Sequence, residues 1–508
     1  MHPGRWFMPV IALAIGVVVV AVYDHAVTGS RYPYSGDSAS YLEMAESLAR
    51  EHRPLVVPWE LVPVDRDRVL QPLFPPGFSL LIAAVAPLAG SVKAAALWPG
   101  RIAAALLPLL VLLAFRGRAP DTVLLGVGLA TLLSEGVLYW HFIAYSDVPC
   151  LALAIVAVGL LVRGLSGRPV WLVGAGVAAG LCYALRNAAV AVLVASLATI
   201  ALEARPARAL RAALGAWLMG ALPIVAAIKV YDYAMFGRLE PYRMAPSTRP
   251  FLQNLCDLTQ SLLTDLHLRA PDAGPIAAPA ALAVLAAGLA VLAFGYHRLY
   301  RSGEPRTQFV ALALYVGAGA AVLVIARSRY EWGDTIDTRH ALQYSWAVLL
   351  LAVLTVRAAF GTRGQRIAAG VAALALVALI VHSVDVAESE QDEPEFWQQV
   401  AGDRALLEQL RSLPASLFLA SNESAFLRIE TGRGFRQLDV GGDDESLDGG
   451  IGLLRETVAG RRPTAFVLVC NDQTQGLPEC ASAPVRSSSP CRPLRRAPPV
   501  VSLCATDG

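Results

Sequence analysis

Apolar runs long enough to cross a lipid bilayer recur through most of this chain. Hydrophobic residues make up 56% of its 508 residues and charged residues 16%, well to the apolar side of ordinary soluble domains. A bilayer offers no water to backbone N–H and C=O groups, so such runs must fold as helices that satisfy those groups internally. The sequence therefore predicts an α-helical polytopic membrane protein.

Eleven spans are predicted when apolar runs of roughly 17 to 25 residues are sought along the chain. The first follows Arg5 and has no convincing small-residue cleavage site behind it, so it is predicted to be an uncleaved span with a cytoplasmic N-terminus. Two of these runs, 170–185 and 187–202, are short and meet at a polar turn, 183–187. They form either two spans or a hairpin within the outer leaflet. The eleven runs are 6–23, 93–115, 121–142, 148–163, 170–185, 187–202, 212–234, 276–297, 308–327, 341–357 and 367–384.

Arginine clusters between the spans orient this layout. All of them fall on one side, which the positive-inside rule makes the cytoplasm of a bacterial-type cytoplasmic (inner) membrane. The transmembrane domain, 1–384, then presents its long polar loops, including a first periplasmic loop at 24–92, on the outer face. Loops held by a rigid scaffold commonly carry chemistry, so functional groups are expected there. The clusters are Arg116 with Arg118, Arg163 with Arg168, Arg205 to Arg211, Arg298 to Arg306 and Arg357 to Arg366.

Composition changes after residue 384 to acidic and mixed residues followed by short alternating patterns. A periplasmic soluble α/β domain is predicted at 385–508, with an amphipathic helix near 395–412 and strands near 416–420 and 464–470. Four cysteines lie in this tail, and an oxidising compartment would favour one or two disulfides whose connectivity the spacing does not give. They are Cys470, Cys480, Cys491 and Cys504.

The first outer loop contains YSGDSASYLEMAESLAR at 34–50. Its apolar positions recur at helical spacing and include Tyr41 and Leu42, which predicts an amphipathic helix with those side chains on the membrane surface. Asp37 stands at the helix start, where a capping carboxylate alone would explain it. Further along the loop, Pro75 and Pro76 begin a second juxtamembrane element, because proline suits the first turn of a helix, and they too are predicted to face the membrane.

Several polar groups on the predicted outer face need partners. Asp147 lies where one span ends and the next begins, and Arg186 lies between two apolar half-helices. A guanidinium in that position is costly unless it pairs or reaches an interface, so Asp147 is its expected partner. Two further segments mix aromatic and charged residues and are predicted to bind an anionic headgroup. Their candidate residues are Tyr242, Arg243, Asp337 and Arg339.

In this order, the motifs resemble the GT-C fold of membrane glycosyltransferases, in particular aminoarabinose transferases and protein O-mannosyltransferases (family 39-like). The likeness extends over nearly the whole chain, although each motif alone is short and degenerate. The matching segments are GDSASYLEMAESLA, FPPGFSLL, SDVP, GLCYALRNA, YDYAMFGRLEPY, DTRHALQYSW and, in the tail, SNESAFLRIETGRGFRQLD.

The resemblance implies roles for individual residues. Asp37 matches the family's first-loop aspartate, used for acceptor activation or for positioning metal and substrate. Asp147 matches a second-loop aspartate, Arg186 the basic residue near it, and Arg339 an arginine before a late span. Many relatives carry two adjacent acidic residues in the first loop, whereas Ser38 follows Asp37 here. No histidine spacing typical of a metal site occurs on the outer face, so no metal or other cofactor is predicted.

The expected activity is transfer of a sugar from a polyprenyl-phosphate-linked donor to a lipid, glycan or protein acceptor. Asp37 would take the acceptor's proton, and the arginines would offset charge on the departing phosphate. Two alternatives stay open: a transporter or flippase of lipid-linked glycans, and an inactive scaffold for envelope assembly. The formal net charge of +2 gives no basic stripe that would indicate a nucleic-acid partner.

Overall fold

A computed structural model describes residues 7–57, 69–70, 74–239, 246–269, 274–302, 306–330, 336–389, 396–421, 423–437, 464–470, 491–495 and 500–505. Helices dominate this part of the chain. They are α1 (Phe7–Val27), α2 (Gly36–Glu51), α3 (Gly77–Ala89), α4 (Val92–Phe115), α5 (Asp121–Leu132), α6 (Glu135–Trp140), α7 (Asp147–Leu165), α8 (Val170–Leu185), α9 (Val190–Glu203), α10 (Ala207–Phe236), α11 (Phe251–Asp265), α12 (Ala278–Ser302), α13 (Thr307–Arg329), α14 (Thr338–Ser389), α15 (Phe396–Gly402), α16 (Arg404–Arg411) and α17 (Ser424–Thr431).

Seven described helices are long and apolar enough to cross a membrane: α1, α4, α7, α10, α12, α13 and the first part of α14, Thr338–Gly361. Shorter apolar helices, 10 to 17 residues long, accompany them. The chain is therefore a multi-pass membrane protein, as predicted. Among the described residues, each of the eleven predicted runs coincides largely with helical backbone, and the last one lies beyond the bend of α14 at Gly361, where φ is 57°.

The run predicted as one span at 121–142 is two helices instead. α5 ends at Leu132, and α6 starts at Glu135 behind an N-cap at Ser134, whose hydroxyl accepts a hydrogen bond from Val137 N at 3.4 Å. A serine that satisfies an otherwise orphaned N–H at a helix start favours a new helix there. Because the apolar composition continues across this point, periodicity alone did not reveal the break.

Small residues let α8 and α10 approach closely. A Cβ at Gly176 would lie 2.1 Å from the carbonyl oxygen of Trp217, and a Cβ at Gly220 would lie 2.1 Å from that of Val173. Each helix therefore uses a glycine where the other's backbone passes, the kind of contact that packs helices in membranes. α8 also packs against α7, and the two helices carry Arg186 and Asp147 at neighbouring ends.

α8 and α9 are separated by a break at Arg186, which has extended backbone angles (φ −155°, ψ 128°). A single 3-10 turn, Asn187–Ala189, follows before α9 begins. This arrangement fits the predicted polar turn between two short halves, and it takes the Arg186 side chain out of regular helix.

Chain contacts divide the protein into two compact units. The first comprises Met1–Ala26, Pro72–Leu81 and Leu97–Ala387, and the second comprises Val27–Gln71, Ile82–Ala96 and Glu388–Gly508. The second unit thus groups first-loop residues with C-terminal residues. The division into a transmembrane domain (1–384) and a soluble domain (385–508) stays a prediction.

In the second unit, α2 packs on α17 and on β1 (Leu55–Val56), which pairs with β2 (Val69–Leu70). Tyr41 and Leu42 are 2% and 8% exposed, so they are buried in protein and the prediction that they face the membrane is wrong. The amphipathic pattern identified an apolar face but not what covers it. In the first unit, Pro75 and Pro76, also predicted to face the membrane, are likewise buried, just before α3.

The C-terminal part of the second unit contains a five-stranded mixed sheet with the strand order β4-β3-β5-β7-β6. β3 is parallel to both neighbours, and its four residues are all buried, as expected of a central strand. Strands appear near both predicted positions. The helix predicted near 395–412 is two helices, because the Asp403 carboxylate accepts a hydrogen bond from Leu406 N at 3.0 Å and starts α16. The strands are β3 (Phe418–Ser421), β4 (Phe435–Gln437), β5 (Thr464–Cys470), β6 (Cys491–Arg495) and β7 (Val500–Ala505).

Candidate functional site

The main candidate site in the first unit is a buried carboxylate held between two guanidiniums. Asp147 lies in the first turn of α7, behind an N-cap at Ser146, and is fully buried. Its Oδ1 forms an ion pair with Arg186 Nη1, and its Oδ2 accepts a hydrogen bond from Arg339 Nε at 3.2 Å. Three of the residues singled out from the sequence therefore meet, and the predicted pairing of Asp147 with Arg186 is present.

Helix ends create this cluster. Asp147 begins α7, Arg186 follows the last residue of α8, and Arg339 lies in the first turn of α14. A carboxylate is favoured at a helix N-terminus, where the backbone dipole is positive. Both arginine side chains are mostly buried, at 15% and 12% exposure. Burial makes the ionic contacts costly to break, since a charge left without a partner in this environment is strongly unfavourable.

Aromatic rings hold the Arg339 side chain from another direction. Its guanidinium carbon lies 4.2 Å from the ring centre of Tyr145 and 5.5 Å from that of Trp140. The two rings are themselves 5.1 Å apart. Stacking against aromatic faces is a property of arginine that lysine does not reproduce, so this position selects for a planar cation.

Two more residues of the same segment complete the surroundings. Gln343 donates a hydrogen bond to the carbonyl oxygen of Asp147 at 2.8 Å, and His340 Nδ1 lies 2.8 Å from Asp337 Oδ1. Burial alone would raise the pKa of the Asp337 carboxyl, but the hydrogen bond from His340 and the charges of His340 and Arg339 hold that pKa below its ordinary value. Asp337 therefore stays ionised near the Arg339 guanidinium.

Asp37, the predicted base, belongs to the second unit. It lies in the first turn of α2, but the N-cap is Ser35, whose backbone N–H donates to the Ser38 hydroxyl at 3.1 Å. The prediction that Asp37 itself caps the helix is therefore wrong by two residues. Its half-buried carboxylate remains at the positive end of the helix dipole.

α2 also carries an ion pair that the sequence did not indicate. Arg428 of α17, which is 3% exposed, donates from Nε to Glu43 Oε1 at 2.6 Å and from Nη2 to Glu43 Oε2. Glu430 lies on the same helix. Its Oε1 accepts a hydrogen bond from the Tyr32 hydroxyl at 2.6 Å and forms an ion pair with Lys93 Nζ at 2.6 Å. These contacts link segments 337 to 398 residues apart in sequence, and no local pattern predicts such long-range contacts.

A cavity of about 410 Å³ lies beside these pairs within the second unit. Both signs of charge line it, together with the apolar side chains of Leu42 and Val57. Its size is that of a small-molecule site. The charged lining residues are Glu43, Glu46, Arg50, Lys93, Arg428 and Arg433.

Sequence reasoning also missed two buried polar clusters of the first unit. Asp24 Oδ2 pairs with Arg101 Nε at 2.7 Å, and Asp24 Oδ1 lies 3.2 Å from His141 Nε2. Arg101 interrupts an apolar run, a signal that a buried partner exists. Asp265, at the end of α11, accepts from Gly136 N at 2.7 Å and from Ser345 Oγ, and burial raises its pKa to about 6.

Three predicted residues, Tyr242, Arg243 and Cys480, lie outside the described residues. For Cys470, Cys491 and Cys504 only the backbone is described, and it places Cys491 directly opposite Cys504 on β6 and β7. The tail disulfides stay a prediction. Within the described part of the chain, no group of three or more His, Cys, Asp or Glu residues could hold a metal ion.

Solved structures resemble the whole chain. ArnT from Cupriavidus metallidurans bound to undecaprenyl phosphate has 14% identity and a TM-score of 0.56, with 98% of each chain covered. Its apo state gives 12% identity and a TM-score of 0.59, with 97% of each chain covered. The oligosaccharyltransferase AglB from Archaeoglobus fulgidus, in complex with an inhibitory peptide and a dolichol-phosphate, has 11% identity and a TM-score of 0.52, covering 92% of this chain and 70% of its own.

The chain matches no protein-family model and no curated sequence. At identities this low, the structural similarity establishes the fold and not the activity. The predicted GT-C fold is therefore confirmed.

Proposed function

We propose that this GT-C-fold membrane protein is a glycosyltransferase that moves a sugar, a pentose or a hexose, from a polyprenyl-phosphate donor to an acceptor hydroxyl or amine. The observation that carries the proposal is the match over 98% of both chains to a structure bound to undecaprenyl phosphate. The AglB structure holds a dolichol-phosphate, another polyprenyl phosphate. Both comparisons favour a transferase over the transporter alternative.

The cluster around Asp147 is the proposed contact for the donor's phosphate. Two guanidiniums, those of Arg186 and Arg339, face the one carboxylate of Asp147, so each arginine shares that carboxylate with the other. Arginine binds phosphate through charge-assisted hydrogen bonds, often two at once. In the reaction, the bond from the sugar's anomeric carbon to the phosphate oxygen breaks, and the polyprenyl phosphate leaves with added negative charge. Cations already fixed by Asp147 and the aromatic rings would stabilise that charge without reorganising.

Asp37 is the proposed general base. The acceptor oxygen or nitrogen attacks the anomeric carbon and loses its proton to the carboxylate. Support comes from the motif resemblance and from the fixed position of Asp37 in the first turn of α2. Tyr242, Arg243 and Asp337 remain proposed substrate-binding residues on sequence grounds. We also propose that the N-terminus is cytoplasmic and that the C-terminal residues face the periplasm, as the arginine clusters indicate.

The test uses purified full-length protein in lipid nanodiscs with radiolabelled undecaprenyl-phosphate pentoses and hexoses and a panel of acceptors. Glycan and lipid profiling of a deletion strain selects that panel. We expect transfer by the wild type and a loss of at least about a hundredfold in kcat for Asp37→Asn, the usual scale for a general base. The matched control is Glu46→Gln, which changes an exposed carboxylate on the same helix.

Binding of undecaprenyl phosphate is measured separately for Arg339→Lys, which keeps the charge but removes the planar fork. Arg339→Lys is expected to bind undecaprenyl phosphate more weakly than the wild type. Asp37→Asn is expected to bind it as the wild type does, although its kcat falls. Equal transfer by wild type and Asp37→Asn would refute the role of Asp37. Failure of the wild type to bind polyprenyl phosphate would refute the function itself.

A further inference from the structure

We propose that Cys150 of α7 and Cys182 of α8 form a disulfide that fastens these two helices beside the Asp147–Arg186 ion pair. This bond is independent of the cysteines in the C-terminal tail. It also does not depend on the proposed activity, because it concerns the covalent state of the protein.

The two thiols already lie in contact. Their Sγ atoms are 2.8 Å apart, and Cys182 Sγ lies 3.2 Å from the carbonyl oxygen of Cys150. A covalent S–S bond measures about 2.0 Å, so less than about 1 Å of movement separates contact from bond. Both side chains are buried, at 3% and 0% exposure. Chance proximity of exposed, mobile side chains therefore does not account for the pair.

Helix packing keeps the cysteines in register. α7 and α8 are consecutive helices joined by a short connection, and near that connection a Cβ at Gly164 would meet the Leu172 side chain at 2.6 Å. The backbones are therefore close at that end too. At the far end, the ion pair between Asp147 and Arg186 fixes the same two helices. The cysteine pair lies between two constraints that already hold the helices together.

The position of the pair gives the bond its consequence. Cys150 follows Asp147 by three residues and Cys182 precedes Arg186 by four, so each cysteine lies about one helical turn from a member of the ion pair. A disulfide there would prevent α8 from sliding along α7. The carboxylate and guanidinium would then keep their separation even while the site is empty.

Formation of the bond is a two-electron oxidation. Each thiol loses its proton, the sulfurs join, and the electrons pass to the disulfide of a thiol–disulfide oxidoreductase or a small-molecule disulfide, which becomes two thiols. One Cys thiolate attacks that disulfide first, and the second cysteine then displaces the mixed disulfide. Such oxidants belong to compartments where structural disulfides persist.

Differential alkylation of the full-length protein tests the bond. Membranes are solubilised in denaturant with light N-ethylmaleimide, then reduced, and newly freed thiols are labelled with heavy N-ethylmaleimide before peptide mass spectrometry. We expect heavy label to exceed light label by about tenfold or more at Cys150 and Cys182, because only bonded thiols escape the first reagent. Cys256, a third buried cysteine of the first unit, is the internal control and should carry light label.

Three further measurements complete the test. In Cys182→Ser, Cys150 should switch to light label, and a non-reduced digest of the wild type should contain the Cys150 and Cys182 peptides joined. Reductant should lower the apparent Tm of the wild type by more than that of the Cys150→Ser/Cys182→Ser double variant, in which only the predicted tail disulfides remain to be reduced. Light label on both cysteines in the wild type, or a digest joining either one to Cys256 or to a second chain, would overturn the proposal.

Discussion

Replacing Asp147 by asparagine should destabilise the protein far more than the same change at Asp121. Both aspartates lie in the first turn of a helix and both pair with arginine, but Asp147 is fully buried whereas the Asp121 side chain is 28% exposed beside Arg116. Removing one partner of a buried ion pair costs about 3–5 kcal/mol, because the charge left behind has no compensation. An exposed pair contributes about 0–1 kcal/mol.

These energies convert into measurable temperatures. Unfolding entropy of about 2 cal/mol/K per residue gives a chain of 508 residues a shift of about 1 °C per kcal/mol, if it melts as one unit. The expected fall in Tm is therefore about 3–5 °C for Asp147→Asn and at most about 1 °C for Asp121→Asn. The fall in Tm is measured by intrinsic-fluorescence melting of the wild type and both variants in the same detergent.

A double-mutant cycle then tests whether the loss comes from the ion pair. Asp147→Asn combined with Arg186→Gln should cost less than the sum of the two single changes, with a coupling energy of about 0.5–3 kcal/mol. Additive effects would show that the two groups do not share an interaction. Equal Tm losses at Asp147 and Asp121 would refute the argument from burial.

Three further changes test other contacts in the fold. Burial raises the pKa of Glu423 from 4.5 to about 7; the folded state therefore holds this proton longer than the unfolded state, and stability should fall as pH rises between those values and level off above them. Glu423→Gln should remove the share of that slope that Glu423 contributes in pH-dependent melting and stabilise the protein at pH 8 by up to roughly 3 kcal/mol; a slope identical to that of the wild type would contradict the assignment. Glu43→Gln, which breaks the paired contact with Arg428, should lower the melting temperature. The matched change Glu46→Gln, at an exposed position on the same helix, should leave the free energy of unfolding within about 0.5 kcal/mol of the wild-type value. Gly136→Ala places a Cβ 2.6 Å from a buried carboxylate oxygen and should cost about 1–3 kcal/mol; a wild-type melting temperature would show that the site has room to relax.

Sequence reasoning reached the fold because a membrane leaves few structural choices. Apolar length alone identified the helices, since the chain has no alternative way to satisfy its backbone in lipid. It also paired Asp147 with Arg186, because a guanidinium between apolar half-helices requires a nearby anion. Arg339 joins the same carboxylate from 192 residues away, and no local pattern encodes a contact of that range.

Other features of the structure depend on tertiary contacts between segments that are distant in sequence. The helical spacing around Tyr41 showed an apolar face, but a face buried by protein and one buried by lipid have the same pattern. The capping residue of α2 was misplaced because Ser35 and Asp37 are both good N-caps. The ion pair between Glu43 and Arg428 joins distant segments, so it becomes visible only when the chain is folded.

The shortness of α8 and α9 has a consequence for the surrounding lipid. At 16 and 14 residues, they are about 24 and 21 Å long, whereas a bilayer's hydrocarbon layer is about 30 Å thick. If both helices start at one surface, Arg186 ends about 6–9 Å below the other. Hydrophobic mismatch of this kind is relieved by local thinning of the bilayer. With such thinning, the lipid headgroups beside this helix pair would lie closer to the guanidinium, and the protein itself would shape the membrane from which a lipid-linked molecule approaches.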